Sequence, residues 1–196
     1  MLHGPGQVGD FQKNVKAGFS NAVLGFNEPN QSGQSVMSPG EAIGLWRQYI
    51  QPLKSQGYTL VSPACTNAPS GLTWQRDFVN GCSGCNIDAI ATHFYGTDAQ
   101  ALIDHLVQYH NAFGRNIWLT EYACQDFSGR NQQCSPDKTA SFMRTTQAFM
   151  ESQSWMSHYA YFGVLFNQNL GGVDPVNRLI YDNSYPTNLG KQYLGI

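Results

Sequence analysis

The chain has few charged side chains and no long apolar run. Charged residues make up 12% of the 196 residues, and the formal net charge is −2. So sparse a charge offers no basic face for nucleic acid. No apolar stretch approaches the ~20 residues of a membrane span, and the first four residues do not form a signal peptide, so any leader is absent from this sequence. We therefore expect neither a nucleic-acid partner nor a membrane partner.

Cysteine is present, but the usual metal-binding patterns are not. Cys82 and Cys85 have redox or zinc spacing, yet no second such pair or histidine pair completes a site, so disulfides are predicted, with no metal and no cofactor. Cys124 and Cys134 bracket a polar loop that a bridge would hold. Disulfides favour an oxidising compartment, which predicts a secreted or cell-wall protein. Cys65 is then either buried and free or a competitor for Cys124.

The length and the aromatic content set two further limits. No linker divides the chain, which is long enough for one well-buried domain, so a single domain over residues 1–196 is predicted. Aromatic residues reach 13% of a nearly neutral chain, a composition that suits an uncharged ligand.

Apolar strands alternate with helices along the sequence. The predicted strands cover 22–27, 58–63, 87–95, 116–122 and 157–164, the predicted helices cover 11–18, 38–53, 72–80, 98–113 and 135–152, and the tail from 166 is predicted to be a loop. Short connections between them indicate parallel strands joined by crossover helices, which is an α/β fold. A closed (β/α)8 barrel of the TIM type needs eight strands and typically ~250 residues. Five strands predict a fragment, an open barrel, or a barrel completed by another chain.

Two of the predicted strands end in a glutamate. The run from Val23 to Phe26 leads into Asn27 and Glu28, and the run from Asn116 ends in Glu121. Catalytic groups of α/β barrels lie at the C-terminal ends of the strands. Hydrolysis of a glycosidic bond needs one protonated acid and one carboxylate. A single glutamate of this kind is more often a surface residue, but the pair predicts a hydrolase.

Polar and aromatic residues near the strand ends are candidate substrate contacts. An asparagine beside the first glutamate can hydrogen-bond a sugar hydroxyl, and a histidine at a strand end is, taken alone, more often a core residue. Trp74 follows a loop rich in proline, serine and glycine, so it is a better candidate for sugar stacking than Trp46 or Trp155. The predicted contacts are Asn27, Asn67, Trp74, His93, Tyr95, Gln125 and Phe162.

Several segments together resemble glycoside hydrolase family 128, the fungal alkali-sensitive-linkage-like glycosyl hydrolase catalytic cores. The segments are GFNEPN, SPACTN, CSGCNID, THFY, IWLTEYACQ and YAYFG, and the similarity runs over residues 1–163. The resemblance implies a (β/α)8 barrel of a retaining clan that acts on β-1,3-glucan. By motif, Glu28 corresponds to the acid/base and Glu121 to the nucleophile. Family members begin with further strands, so this barrel is expected to be incomplete or truncated at its N-terminus.

The predicted function is that of a retaining β-1,3-glucanase, with endo action favoured over exo action. The alternative is a non-catalytic β-glucan-binding or cell-wall protein on the same scaffold. A homo-oligomer is expected if a second copy completes an open barrel. The sequon at Asn30, Gln31 and Ser32 is predicted to be unused, because a glycan there would block the cleft beside Glu28.

Overall fold

Strands and helices alternate in the computed structural model, which describes residues 1–130, 132–165 and 170–196. The strands are β1 (Ala22–Leu24), β2 (Thr59–Val61), β3 (Ala89–Gly96), β4 (Asn116–Cys124) and β5 (Met156–Tyr161). The α-helices are α1 (Val8–Asn14), α2 (Pro39–Leu45), α3 (Pro69–Gly81), α4 (Ala99–Phe113), α5 (Pro136–Ser152) and α6 (Asn188–Leu194). The predicted α/β class is confirmed, and a strand lies within or overlaps each of the five predicted ranges. Strand β1 ends at Leu24, earlier than predicted, and β4 continues to Cys124, later than predicted, so neither strand ends at its glutamate.

The five strands form one sheet in the order β1-β2-β3-β4-β5. β1 and β2 pair in parallel with Ala22 opposite Thr59, and β2 pairs in parallel with β3 at Val61 and Ala89. Sequential order with parallel pairing is what strand–helix–strand units produce. The described part of the chain holds five strands in this sheet, so closure into eight strands stays a prediction.

Local sequence signals explain how the helix after β1 begins and ends. Ser38 forms a capping box, in which its hydroxyl accepts from the Glu41 amide and the Glu41 side chain accepts from the Ser38 amide. The segment predicted as one continuous helix, 38–53, has three successive helical geometries. α2 is followed by a π-helix at Trp46–Ile50 and a 3-10 helix at Gln51–Gln56. Pro52 has no amide hydrogen to donate within an α-helix, which accounts for the change of geometry.

The chain divides into two compact units. The first unit is Met1–His93 with Tyr109–Trp118, and the second is Phe94–Gln108 with Leu119–Ile196. In the first unit the ring of Phe78 stacks on Trp74 at 5.5 Å and meets Trp46 edge-on at 5.6 Å. The prediction of a single domain over 1–196 stays a prediction.

In the second unit, the buried ring of Tyr122 meets Tyr161 edge-on at 4.8 Å, with Phe142 nearby at 6.5 Å. Strand β4 therefore enters an aromatic core two residues before it ends.

The tail is more ordered than predicted. Residues 166–169 lie outside the described residues, but Pro175–Asn177 is a 3-10 helix and Asn188–Leu194 is α6, so the loop prediction is wrong there. The Thr187 hydroxyl caps α6 by accepting from the Gly190 amide. The glycine and proline content of the tail favoured a loop prediction, so this short helix was not predicted.

Both predicted disulfides are present. Cys82 is bonded to Cys85, and Cys124 is bonded to Cys134 across the loop after β4. Cys65 is free and buried, which decides between its two predicted states. Among the described residues, none of the helices combines the length and apolar character that a membrane crossing requires.

Candidate active site

Glu28 lies in a tight turn just after β1. Its φ is +46°, in the left-handed region that costs a residue with a side chain roughly 1–2 kcal/mol. Its amide donates to the Ala64 carbonyl at 2.8 Å, and its own carbonyl accepts from the Gln31 amide at 2.9 Å. Only 7% of the residue is exposed. The turn thus holds the carboxylate in a defined and largely buried position.

Strand β3 supplies the partner of this carboxylate. His93 Nδ1 lies 2.8 Å from Glu28 Oε1, and 2% of His93 is exposed. Its amide donates to the Cys65 carbonyl at 2.9 Å, which fixes the strand beside the residues after β2. The contact can carry its proton on Nδ1 with Glu28 ionised, or on the carboxyl oxygen with Glu28 neutral. Such a histidine is a suitable partner for a carboxyl group that must give up and regain a proton.

Asn30 anchors the turn from the other side. Its Nδ2 donates to Thr66 Oγ1 at 2.7 Å and to Ser70 Oγ at 3.2 Å, while its Oδ1 accepts from the Thr66 amide at 3.1 Å. Both donors and one acceptor position of the side chain are therefore used. A sequence pattern alone could not reveal this, because the partners are 36 and 40 residues away.

The other predicted contacts of the first unit differ in exposure. Asn27 is half-buried and donates to Gln34 Oε1 at 3.0 Å, and Asn67 is also half-buried. Trp74 is 8% exposed, and its indole donates to the Met37 carbonyl at 2.8 Å. Trp74 lies on α3, as predicted, but its ring is packed into the core, so little of it is open for the predicted sugar stacking.

Cys65 lies beside this site, but its thiol is expected to be unreactive. Its thiol donates to Gln75 Oε1 at 3.3 Å. Burial raises the pKa of the thiol well above its usual range, and the charge of Glu28 raises it further. The thiol stays protonated at neutral pH, so it is a poor nucleophile and a poor metal ligand.

Glu121 lies on β4 in the second unit and is half-buried. Its Oε2 accepts a hydrogen bond from the Tyr95 hydroxyl at 2.7 Å. The ring of Tyr95 in turn meets Phe127 edge-on at 5.1 Å and Phe162 at 6.0 Å. The second predicted glutamate therefore contacts one predicted residue, Tyr95, whose ring in turn contacts the predicted Phe162 and Phe127, which was not predicted.

Gln125 is buried and supports a loop. Its Oε1 accepts from the Asp174 amide at 2.7 Å, and its Nε2 donates to the Asp126 carbonyl at 3.3 Å. A direct contact of this side chain with substrate stays a prediction.

Asn177 was missed by sequence reasoning. It is fully buried, its Oδ1 accepts from the Cys124 amide at 3.0 Å and its Nδ2 donates to the Cys124 carbonyl at 3.1 Å. It satisfies both backbone groups at the end of β4, three residues after Glu121. No signal for this role exists in a tail that reads as loop.

Comparison with known proteins gives the class of this fold and site. Residues 1–193 match the family model described as glycosyl hydrolase catalytic core. The chain belongs to that family, and within it to glycoside hydrolase family 128. The predicted family is thus confirmed.

Three individual proteins illustrate the likeness. Alkali-sensitive linkage protein 1 of Schizosaccharomyces pombe is 34% identical over 88% of this chain, which spans about a third (32%) of that protein. A family 128 (subgroup I) endo-β-1,3-glucanase from Amycolatopsis mediterranei, solved with laminaripentaose, is 30% identical with a TM-score of 0.81, covering 98% of this chain and 79% of that one. A family 128 (subgroup VII) oligosaccharide-binding protein from Cryptococcus neoformans is 28% identical with a TM-score of 0.82, covering 100% and 77%.

Proposed function

We propose that the protein is a retaining β-1,3-glucanase in which Glu28 is the acid/base and Glu121 is the nucleophile. In the first step Glu28 protonates the leaving glycosidic oxygen while Glu121 attacks the anomeric carbon. In the second step Glu28 deprotonates a water that releases the sugar from Glu121. Glucan is the proposed substrate because the similar endoglucanase is described with that specificity.

The observation that carries the proposal is the pairing of each glutamate with a side chain of β3. His93 contacts Glu28 and Tyr95 contacts Glu121. Residues two apart on a strand project from the same face, roughly 6.6 Å apart. Each proposed catalytic carboxylate therefore has a side-chain partner on β3, and retention requires the two carboxylates ~5–5.5 Å apart.

Substitution of each glutamate tests the pair. Glu28→Gln and Glu121→Gln are each expected to lower the release of reducing ends from laminarin by about 10²–10⁴-fold. Glu151→Gln is the matched control, because Glu151 is an exposed glutamate at the end of α5. Full activity in either site variant, with the fold intact by circular dichroism, would refute the assignment.

Chemical rescue distinguishes the two roles. An aryl laminaribioside with a good leaving group needs no acid in the first step, so Glu28→Ala should accumulate the glycosyl-enzyme and be rescued by azide with a β-glycosyl azide product. Glu121→Ala should give the α-glycosyl azide, because azide then attacks the sugar directly. The opposite anomers would reverse the assignment. A first-formed β-anomer of the wild-type product, followed by NMR, tests retention.

Endo action, the mode of the Amycolatopsis enzyme, is the form that we propose. Early digestion of laminarin should then release oligosaccharides of several lengths. Glucose or one short product from the start of the reaction would mean exo action.

A non-catalytic oligosaccharide-binding protein is the second candidate. The likeness to the Cryptococcus neoformans binding protein favours it. Calorimetric binding of laminaripentaose without any product after prolonged incubation would support binding alone over hydrolysis.

We further propose a secreted or cell-wall location. Two disulfides in the chain support an oxidising compartment. Mass spectrometry of the native protein should find both bonds formed, and free thiols at these four cysteines would contradict an oxidising location.

A further inference from the structure

Phe127 combines exposure with a fixed position, an unusual combination for an aromatic side chain. It is 57% exposed. Single exposed hydrophobic residues are common on protein surfaces and need no function. Two features set Phe127 apart: the hydrogen bonds that hold Asp126, the residue before it, and the contacts through Tyr95 that connect it to Glu121.

The loop that carries Phe127 is fastened at several points. The Cys124–Cys134 disulfide closes it. Inside it, the Asp126 amide donates to Gln133 Oε1 at 3.0 Å, Gln133 Nε2 donates back to the Asp126 carbonyl at 2.7 Å, and the Asp126 carboxylate accepts from Ser128. The residue directly before Phe127 is thus held on both its backbone and its side chain, which lowers the entropy lost when a ligand contacts the ring.

A single residue, Tyr95, connects the ring of Phe127 to the proposed nucleophile Glu121. It meets Tyr95 edge-on at 5.1 Å, and the Tyr95 hydroxyl donates to Glu121 at 2.7 Å. The ring contact with Tyr95 orients the Phe127 ring without covering its exposed surface. An exposed apolar surface therefore lies against Tyr95, the residue whose hydroxyl contacts the carboxylate.

We propose that Phe127 is a specificity-determining residue that stacks on a glucosyl unit adjacent to the one that Glu121 attacks; this inference rests on the proposed function. A pyranose ring of an uncharged β-glucan presents C–H groups on its face, and an aromatic ring binds such a face by removing apolar surface from water. The partner is thus a glucan chain that extends beyond the reacting sugar. A single glucosyl unit in the reacting position does not reach the ring.

Binding to an inactive parent tests the stacking without turnover. In a Glu121→Gln background, Phe127→Ala is expected to weaken laminaripentaose binding about 5- to 10-fold by calorimetry, the loss that one aromatic contact provides. Phe127→Tyr should restore the affinity, because it keeps the ring. The matched control is Phe19→Ala, which removes another exposed phenylalanine (68% exposed) from the first unit and should leave affinity unchanged.

Kinetics on oligosaccharides of increasing length give a second readout. Phe127→Ala should raise KM for laminaripentaose more than for laminaribiose, with kcat changed less than KM. Equal effects at all lengths, or an unchanged affinity, would overturn the stacking role while leaving Glu28 and Glu121 as the catalytic pair. If the Glu121→Gln parent binds no laminarin oligosaccharide, the glucan function itself fails, and the stacking proposal falls with it.

Discussion

Asn30 is expected to hold Glu28 in its left-handed turn, and its removal should cost both stability and activity. Asn30→Ala deletes three hydrogen bonds, two to Thr66 and one to Ser70. Nothing else in the substitution is disruptive, because alanine is smaller and the position is half-buried. The turn then loses the side chain that ties it to the segment after β2.

The magnitude follows from the bonds that are lost. Each contributes roughly 0.5–1.5 kcal/mol net, and the bond to the exposed Ser70 lies at the low end. The expected loss is therefore about 2–3 kcal/mol, or about 5–10 °C in Tm for a chain of this length. Since a left-handed residue costs roughly 1–2 kcal/mol, the loosened turn should let Glu28 relax away from His93.

Thermal unfolding followed by circular dichroism measures the stability, and laminarin hydrolysis measures the activity. Asn14→Ala is the matched control, because it deletes one exposed bond, from Asn14 Nδ2 to the Asp10 carbonyl at 2.8 Å, on α1. Asn30→Ala should melt well below this control, with a lower kcat. Equal melting of the two variants would refute the anchoring role of Asn30.

Two further predictions concern stability. Burial lowers the pKa of His105 from its ordinary 6.5 to about 4. Between these two values the folded protein keeps His105 neutral, whereas the unfolded chain takes up a proton. The free energy of unfolding should therefore be highest above about pH 6.5 and fall by about 2–3 kcal/mol towards pH 4. Denaturant unfolding at pH 7 and pH 4.5 should show this loss of unfolding free energy in the wild type and a smaller loss in His105→Gln. An equal loss in both proteins would contradict the prediction. Asn177→Ala removes the side-chain donor to the buried Cys124 carbonyl, while the Cys124 amide keeps the Tyr161 hydroxyl as an acceptor. It should cost about 1–3 kcal/mol in the same measurement, against less than about 1 kcal/mol for the exposed Asn183→Ala.

The strands and the long helices were predictable because their signals are local. The apolar run before Glu28, the capping box at Ser38 and the amphipathic pattern of α4 each act within a few residues. The short α6 and the π-helical segment were missed, because their geometry depends on packing and on Pro52 more than on periodicity. Strand number was predicted correctly for the same local reason, whereas barrel closure depends on long-range pairing.

Within the site, features set by nearby residues were predicted, and features set by residues distant in the sequence were not. The apolar runs predicted Glu28 and Glu121 at strand ends; in the structure β1 ends at Leu24, before Glu28, and β4 continues past Glu121 to Cys124. The motif added their predicted roles. The contact of His93 with Glu28 joins residues 65 apart in the sequence, and the bond from Asn30 to Thr66, which anchors the same turn, joins residues 36 apart. No local pattern contains either contact. Residue type and loop composition favoured Trp74 over Trp46 and Trp155, yet the structure buries Trp74. Solvent exposure, which the sequence does not contain, is what distinguishes Phe127.

The partners of the two glutamates differ in chemistry, and this difference supports the assigned roles. The Tyr95 hydroxyl donates a hydrogen bond to a carboxylate oxygen of Glu121, a contact that suits a carboxylate acting as nucleophile. An imidazole can either donate to or accept from a carboxyl group, so His93 accommodates Glu28 with or without its proton. An acid/base catalyst passes through both states in each turnover. With the roles exchanged, the hydroxyl donor Tyr95 would face the acid/base, and the histidine, which can donate or accept, would face a group that never carries a proton in the reaction.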